Sequence, residues 1–165
     1  MNTSLFFSPK GRIGPAVFLQ SAIILIVIGF VLNMVQIFMP GLILVTTLAG
    51  IALLWPWICL WIKRLHDAGK SGWMLLVIIL VTIVLSMISS FVVRMFVHVN
   101  PADVQAAMKS AHGVMGMIKA GAEANKAILL PNAISTVVVQ VLVVFGANTL
   151  LKSDPEENQF GPATA

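Results

Sequence analysis

Charged residues are scarce in this sequence: Asp, Glu, Lys and Arg make up 10% of its 165 positions, whereas 59% are hydrophobic. A soluble domain carries roughly 25% charged residues, because charged side chains keep its surface hydrated. Six acids and ten bases cannot cover a water-soluble globule of this size. The shortage of charge therefore excludes an ordinary soluble domain and indicates an integral membrane protein whose surface is solvated by lipid.

Cysteine is scarcer still, since Cys59 stands alone in the sequence. An intrachain disulfide is therefore excluded, and the redox compartment cannot be read from cysteine usage. The net charge of +4 is modest. In a membrane protein such a charge is more typical of contact with anionic phospholipid than of nucleic-acid binding, so we expect a lipid partner and no nucleic-acid partner.

Long charge-free runs predict the membrane spans. No charge lies between Arg12 and Lys63, and one helix over that run would be about 75 Å long, more than twice the hydrocarbon thickness of a bilayer. Pro40-Gly41, near its middle, is a strong turn signal, so the run is predicted to fold back. The run also exceeds the apolar region of a signal peptide, which favours a permanent anchor. We predict an all-α membrane protein with four transmembrane helices, at residues 17–39, 42–62, 73–93 and 127–151.

The distribution of lysine and arginine predicts the orientation. Lys10 and Arg12 precede the first predicted helix, and the loop after the second contains Lys63, Arg64 and Lys70. The turn between the first two helices has no basic residue. By the positive-inside rule, the N-terminus and the second loop then lie in the cytoplasm. Four spans return the tail, residues 152–165, to the same side. All four tryptophans flank the second loop and are expected at the membrane boundary: Trp55, Trp57, Trp61 and Trp73.

The predicted spans contain no Asp, Glu, Lys, Arg or His. Proton-coupled and ion-coupled transporters usually need such groups at mid-membrane, so this absence argues against a pump. Asn33 and Gln36 share a face of the first helix, and Gln140 and Asn148 lie in the fourth. These amides are predicted either to form interhelical hydrogen bonds or, in an oligomer, to line a path for a small solute.

A long segment, residues 94–126, separates the third and fourth predicted helices. Asn100 is predicted to cap a helix that Pro101 begins, and Asp103 suits its first turn. Apolar residues then recur at spacings of three and four, which predicts an additional amphipathic outer helix over residues 101–126. Such a helix would lie on the bilayer surface or cap the bundle.

The same segment offers a soft-metal hypothesis, with thioether and imidazole ligands from Met108, Met115, Met117, His98 and His112. Methionine is also a common adaptable apolar contact, and no tight ligand cluster is visible. We therefore expect no metal site and no cofactor.

The segment 63–73 is the most distinctive part of the sequence. Its candidate binding residues, taken together with Arg12, are Lys63, Arg64, His66, Asp67, Gly69, Lys70, Ser71, Gly72 and Trp73. Gly69-Lys70-Ser71 is similar to the end of a phosphate-binding loop, but Arg64 stands where that loop needs its first glycine. His66 and Asp67 could form an acid–base pair acting on lipid headgroups, yet no activated nucleophile or metal accompanies them.

A structural reading of this segment is more direct. Gly69 allows a left-handed turn at the end of the second helix, Ser71 caps the third helix, and Trp73 anchors it. Asp67 is expected to pair with Arg64 or Arg12, and the remaining basic groups would meet anionic lipid phosphates.

Three pieces of sequence carry a family resemblance: Gly11-Arg12-Ile13 with Phe18, then Arg64 to Trp73, and finally Asn158 to Pro162. In this order they resemble the motifs of the domain-of-unknown-function 805 family, small bacterial inner-membrane proteins of the YhaH/YhaI type. Departures are Pro15, where the family often has a basic residue, Leu19, where it often has tryptophan, and the long segment 94–126. The resemblance implies a bacterial inner-membrane location and four helices, and it implies no established activity.

All three matching pieces fall on the side that charge predicts to be cytoplasmic. We hypothesise one composite surface built from Arg12, Arg64, His66, Asp67 and the tail. The expected function is that of a non-enzymatic membrane protein whose basic cytoplasmic loop binds a partner protein or anionic lipid. The alternative is an oligomeric transporter or channel for a small solute.

Overall fold

The computed structural model describes residues 4–164, and helices account for most of them. Over this range the helices are α1 (Ser4–Phe7), α2 (Pro15–Phe38), α3 (Ile43–Asp67), α4 (Leu75–Phe96), α5 (Pro101–Ser110), α6 (Gly113–Ala124) and α7 (Lys126–Leu150). Two 3₁₀ turns, Pro40–Leu42 and Gly72–Met74, lead into α3 and α4. The first of these is the predicted Pro-Gly turn.

Four of the helices are long and apolar enough to cross a membrane: α2, α3, α4 and α7, with the 3₁₀ turns included in α3 and α4. This confirms the predicted all-helical class with four spans. The 22 residues of α4 measure about 33 Å and the 25 residues of α7 about 38 Å, against a hydrocarbon thickness of about 30 Å. No described residue of α4 is buried, although its mean hydropathy is the highest of the four. Lipid is the solvent that such a surface needs, so the four helices indicate a multi-pass membrane protein.

The bundle is organised around α2, which packs against both α3 and α7, while α4 packs mainly on α7. Its apolar core lies near the end of the bundle where α2 begins and α3 and α7 finish. Phe18 of α2 is fully buried there and meets Trp61 of α3, with ring centroids 4.7 Å apart and planes tilted by 58°. Trp61 was predicted at the membrane boundary with the other tryptophans. This indole is only 6% exposed and belongs to the core, so it packs against protein, and its depth at the membrane boundary stays a prediction.

Helix α3 continues beyond Ile62, where the predicted span ends, to Asp67, and so it ends beside His66, next to the left-handed turn predicted at Gly69. The prediction ended the span at the first charge, on the premise that charged side chains need water. The charged side chains of this last turn have partners inside the protein instead, as described below. The helix therefore stays regular and packed through its charged turn.

The outer segment forms two helices, α5 and α6, and the prediction of one helix over residues 101–126 is wrong. The break falls at His112, whose backbone is extended, and at Gly113, whose φ of +69° lies outside the helical region. The predicted start is confirmed, because the Asn100 side chain accepts a hydrogen bond from the Ala102 N–H at 3.0 Å, with Pro101 in the first turn.

Candidate functional site

The end of α3 holds the central motif in a fixed turn. The Lys70 N–H donates to the Leu65 carbonyl at 2.8 Å, and the Gly69 N–H donates to the His66 carbonyl at 3.0 Å. These two bonds form a Schellman motif, and Gly69 occupies its left-handed position with a φ of +65°. Ser71 then accepts a hydrogen bond from the Trp73 N–H at 3.4 Å. The predicted turn at Gly69 and the predicted cap at Ser71 are both confirmed.

Asp67 is the centre of a buried polar cluster. Its side chain is 0% exposed, and each carboxylate oxygen accepts two hydrogen bonds. Oδ2 accepts from Arg64 Nη1 and from Ser153 Oγ, both at 2.6 Å. Oδ1 accepts from Thr164 Oγ1 at 2.5 Å and from Arg12 Nε at 3.3 Å. The predicted pairing of Asp67 therefore includes both arginines at once, and its lone-pair directions are filled.

Arg64 uses its whole guanidinium group inside the protein, and its side chain is 1% exposed. Nε donates to Asn148 Oδ1 at 2.8 Å, and Nη1 donates to Asp67 and, at 3.1 Å, to Ser153 Oγ. Nη2 donates to the Asn148 carbonyl at 3.3 Å and closely to the Leu151 carbonyl. A guanidinium has five N–H donors, and these five contacts employ all of them.

Arg12 is saturated in the same way, and its side chain is also 1% exposed. Besides its contact with Asp67 Oδ1, it donates to the Asp67 carbonyl at 3.4 Å. Its other partners belong to the C-terminal tail: the carbonyls of Asp154 at 2.5 Å, Glu156 at 2.7 Å and Gly161 at 3.2 Å. Arg12 thus ties the segment before α2 to the end of α3 and to the tail.

We name this assembly the polar latch; it consists of Arg12, Arg64, Asp67, Asn148, Ser153 and Thr164. It joins the segment before α2, the last turn of α3, the end of α7 and the tail. Two cations share one carboxylate, and backbone carbonyls supply the remaining acceptors. A buried network of this kind stabilises a structure only when every member is paired, and these members are.

Burial of the latch corrects one premise of the sequence analysis. Arg64 and Lys63 were expected on an exposed loop, where they would meet a partner or lipid. Both are buried in the last turn of α3, and Lys63 Nζ donates to the carbonyls of Ser4 at 2.5 Å and Leu5 at 3.1 Å. A buried charge is costly unless hydrogen-bond acceptors surround it. Lys63 therefore holds α1 in place through these carbonyls, and Arg64 holds the start of the tail.

His66 fixes the tail from the opposite face of the turn. Its ring stacks on Phe160, with centroids 3.8 Å apart and planes within 2° of parallel. Its Nδ1 lies 3.3 Å from the Gly11 carbonyl, and its own carbonyl accepts from Asn158 Nδ2 at 3.1 Å. The acid–base pair of His66 and Asp67, considered above as a possibility, does not form, since both carboxylate oxygens of Asp67 are occupied within the latch.

Asp154 organises the first turn of the tail. Its backbone N–H donates to the Asp67 carbonyl at 2.8 Å. Its carboxylate accepts from the Glu156 N–H and from Asn158 Nδ2, each at 3.2 Å. These hydrogen bonds, the one from Glu156 above all, hold the pKa of Asp154 below its ordinary value.

A groove lies beside the latch, at the start of α4. Its lining combines the polar Lys10 and Ser71 with the apolar Ile62, Leu75 and Leu76; Pro9, His66, Gly72, Trp73 and Phe160 complete it. Trp73 is 79% exposed, and Lys10, Lys70 and Lys152 are exposed as well. These residues, unlike the latch arginines, keep their charges and the indole available to an outside molecule.

The four amides that could line a solute path, Asn33, Gln36, Gln140 and Asn148, do not share one cavity. Asn148 belongs to the latch, and Gln140 lines an apolar cleft between α3, α4 and α7. Asn33 and Gln36 line a separate cavity at the other end of the bundle, together with Asn132. Sequence reasoning missed Ser153 and Thr164, whose signal is weak because small hydroxyl side chains are common in any tail.

No curated protein matches this chain, and no solved structure matches it either. The three pieces of sequence that the latch and the His66–Phe160 stack bring together all fall within the match to one family model. That model, described as a protein of unknown function (DUF805), matches residues 6–162, and the chain therefore belongs to the DUF805 family.

Proposed function

We propose that this protein is a non-enzymatic protein of the bacterial inner membrane whose cytoplasmic end binds anionic phospholipid in the groove beside Trp73. The observation that carries the proposal is the amphipathic lining of that groove. Lys10 and Ser71 contribute a cation and a hydroxyl donor to the lining, while Leu75 and Leu76 continue it along the membrane-spanning helix α4. An anionic phospholipid likewise joins a charged phosphate to apolar acyl carbons, so it could contact both kinds of residue at once.

Charge supports an anionic headgroup over a zwitterionic one. The cations near the groove that the latch does not use are Lys10 and Lys70, and both are exposed. Each lysine near a bilayer surface contributes about 1 kcal/mol of attraction to anionic lipid. Trp73 suits the headgroup level, where an indole keeps its ring in an apolar layer and its N–H with a polar partner.

The proposed lipid site is tested by native mass spectrometry of the protein in mild detergent, with equal amounts of phosphatidylglycerol and phosphatidylcholine. We expect retention of phosphatidylglycerol, weakened about fivefold by Lys10→Gln and again by Lys70→Gln, as about 1 kcal/mol per charge implies. Lys109→Gln is the matched control, since Lys109 is an exposed lysine on α5. Equal retention of the two lipids, or an equal loss in the control, would contradict the proposal.

The same lysines support the orientation. Lys10, Lys70 and Lys152 flank the latch end of the bundle at exposed positions, whereas the turn Pro40–Leu42 carries no charge. Arg94 and the three lysines of residues 95–126 lie in a longer segment, where basic residues weigh less in the positive-inside rule. We propose that both termini lie in the cytoplasm.

Single cysteines test this orientation in bacterial cells with a membrane-impermeant maleimide. Lys109→Cys is expected to react in intact spheroplasts, and Lys70→Cys only after the membrane is opened. The native Cys59 is fully buried and provides the unreactive background. Reaction of Lys70→Cys in sealed spheroplasts would reverse the assignment.

A further inference from the structure

The end of the bundle opposite the latch encloses a cavity of about 580 Å³. That volume lies within the range of small-molecule sites, roughly 300–1,000 Å³. The second half of α2 and the first half of α7 form its sides, and α6 of the outer segment covers it. Met108 and Met117, considered above as metal ligands, line it as apolar walls, whereas His98 and His112 do not.

One buried atom in this cavity lacks a partner. Asn132 Oδ1 is shielded from solvent, and no donor among the described residues reaches it. An acceptor left unpaired in a buried place costs free energy, so such atoms call for an explanation. Because Asn132 also lines the cavity, a turn of its amide toward a ligand O–H or N–H there would remove the cost.

The charge of the lining indicates the rest of the ligand. Arg94 contributes a guanidinium, and no carboxylate belongs to the lining over the described residues. The exposed side chain of Arg94 has neither an ion pair nor a hydrogen bond within residues 4–164, in contrast to the saturated arginines of the latch. Gln36 and Asn33 add amides, while Ile118, Leu129 and the two methionines supply an apolar wall.

We propose that this cavity binds an anionic amphiphile that carries a hydroxyl or amine next to its charge, as a glycerophosphate headgroup does. The anionic group pairs with Arg94, the neighbouring donor bonds to Asn132 Oδ1, and the apolar part lies against the walls from α6 and α7. The site is separate from the groove beside Trp73 and does not depend on it.

The probes are 1-acyl lysophosphatidylglycerol, the chain-free glycerol phosphate, lysophosphatidylcholine, which keeps the sn-2 hydroxyl and lacks the net charge, and dodecyl phosphate, which keeps the charge and lacks the hydroxyl. Binding to the purified full-length protein is followed by native mass spectrometry for the lysolipids and by calorimetry for glycerol phosphate. We expect lysophosphatidylglycerol to bind and lysophosphatidylcholine to bind at least about tenfold more weakly, the loss expected for a hydrogen bond to a charged group. Glycerol phosphate binding as tightly as the lysolipid would identify a soluble anion as the source of the same chemistry.

Two variants assign the binding to this cavity. Arg94→Gln, at an exposed position, is expected to weaken lysophosphatidylglycerol binding at least about tenfold, and Lys109→Gln is the control outside the cavity. Asn132→Leu is expected to abolish the preference for lysophosphatidylglycerol over dodecyl phosphate while raising the melting temperature of the ligand-free protein, because it removes an unpaired buried acceptor. A purely structural asparagine would instead lower the melting temperature. Equal binding of both lysolipids, or unchanged binding in both variants, would overturn the proposal.

Discussion

Replacing Asp67 with asparagine removes the carboxylate that both Arg12 and Arg64 bind, and it does so with almost no change in side-chain volume. Both guanidinium groups and the carboxylate are at most 1% exposed, so water cannot take over the lost charge. Removing one partner of a buried ion pair costs about 3–5 kcal/mol, because the other charge stays buried and uncompensated. Asparagine keeps one acceptor oxygen, which favours the lower end of that range.

The expected loss of about 3 kcal/mol corresponds to an open population on the order of a hundredfold larger. Since Arg12 and Asp67 hold the backbone of the tail, the first consequence is release of residues 152–164. Trypsin reports this release by cutting after Lys152, and the rate of cutting follows the population of the open form when closing is fast. Thermal unfolding in mild detergent measures the loss of stability independently.

Two comparisons make the experiment specific. Asp103→Asn removes an exposed carboxylate on α5 and is expected to change stability by less than about 0.5 kcal/mol. In an Arg12→Gln background one buried cation is already gone, so Asp67→Asn is expected to cost less, with a coupling of about 1 kcal/mol or more between the two sites. An Asp67→Asn protein with native stability and native cleavage at Lys152 would refute the account of the latch.

The other latch predictions follow from single contacts. Gly69→Ala places a β-carbon on a backbone with a φ of +65° and is expected to cost about 1–2 kcal/mol of thermal stability, whereas Gly72→Ala meets only ordinary contacts and is expected to cost less. Phe160→Ala removes the stacking partner of His66 and is expected to increase cleavage after Lys152 without lowering the melting temperature of the spans. The pKa of Asp154 is held below its ordinary value of 3.8. The contribution of its carboxylate to the stability of the folded tail is therefore complete above pH 3.8 and is lost as the pH falls through the lower pKa of the folded state. The tail of Asp154→Asn should show a smaller increase in pepsin sensitivity between pH 4.5 and pH 2.5 than the native tail.

The four apolar spans could be predicted from the sequence, whereas the contacts of the charged residues at their ends could not. Apolar runs and the Pro40-Gly41 turn predicted four spans. In a run of about twenty apolar residues nearly every side chain favours transfer into the bilayer, so the total is large even where single residues vary. The partners of the charged residues near the end of α3 could not be found in this way, since they lie in distant parts of the sequence. Lys63 and Arg64 look like surface residues until the carbonyls of α1 and the tail are in place around them.

The candidate site was predicted in part for the same reason. Local geometry at Gly69 and Ser71 follows from residue type, and a pairing of Asp67 with either arginine was expected from proximity in sequence and loop position. The simultaneous use of both arginines was not predictable, because it requires the tail to return across the end of α3. Asn148 was predicted either to form an interhelical hydrogen bond or to line a solute path, and its partner, Arg64, could not be named because it lies 84 residues away in the sequence.

The two ends of the bundle differ in how completely their polar groups are paired. At the latch end, ten N–H donors of two guanidiniums and four lone-pair directions of one carboxylate are all employed, as the contacts of Arg12, Arg64 and Asp67 show. At the opposite end, Asn132 holds a buried acceptor with no partner, and Arg94 has none among the described residues. Saturated networks hold a structure, whereas the buried acceptor of Asn132 and the exposed guanidinium of Arg94 remain available to a ligand. Substitutions in the latch should therefore alter stability first, and substitutions at Arg94 and Asn132 should alter ligand binding first.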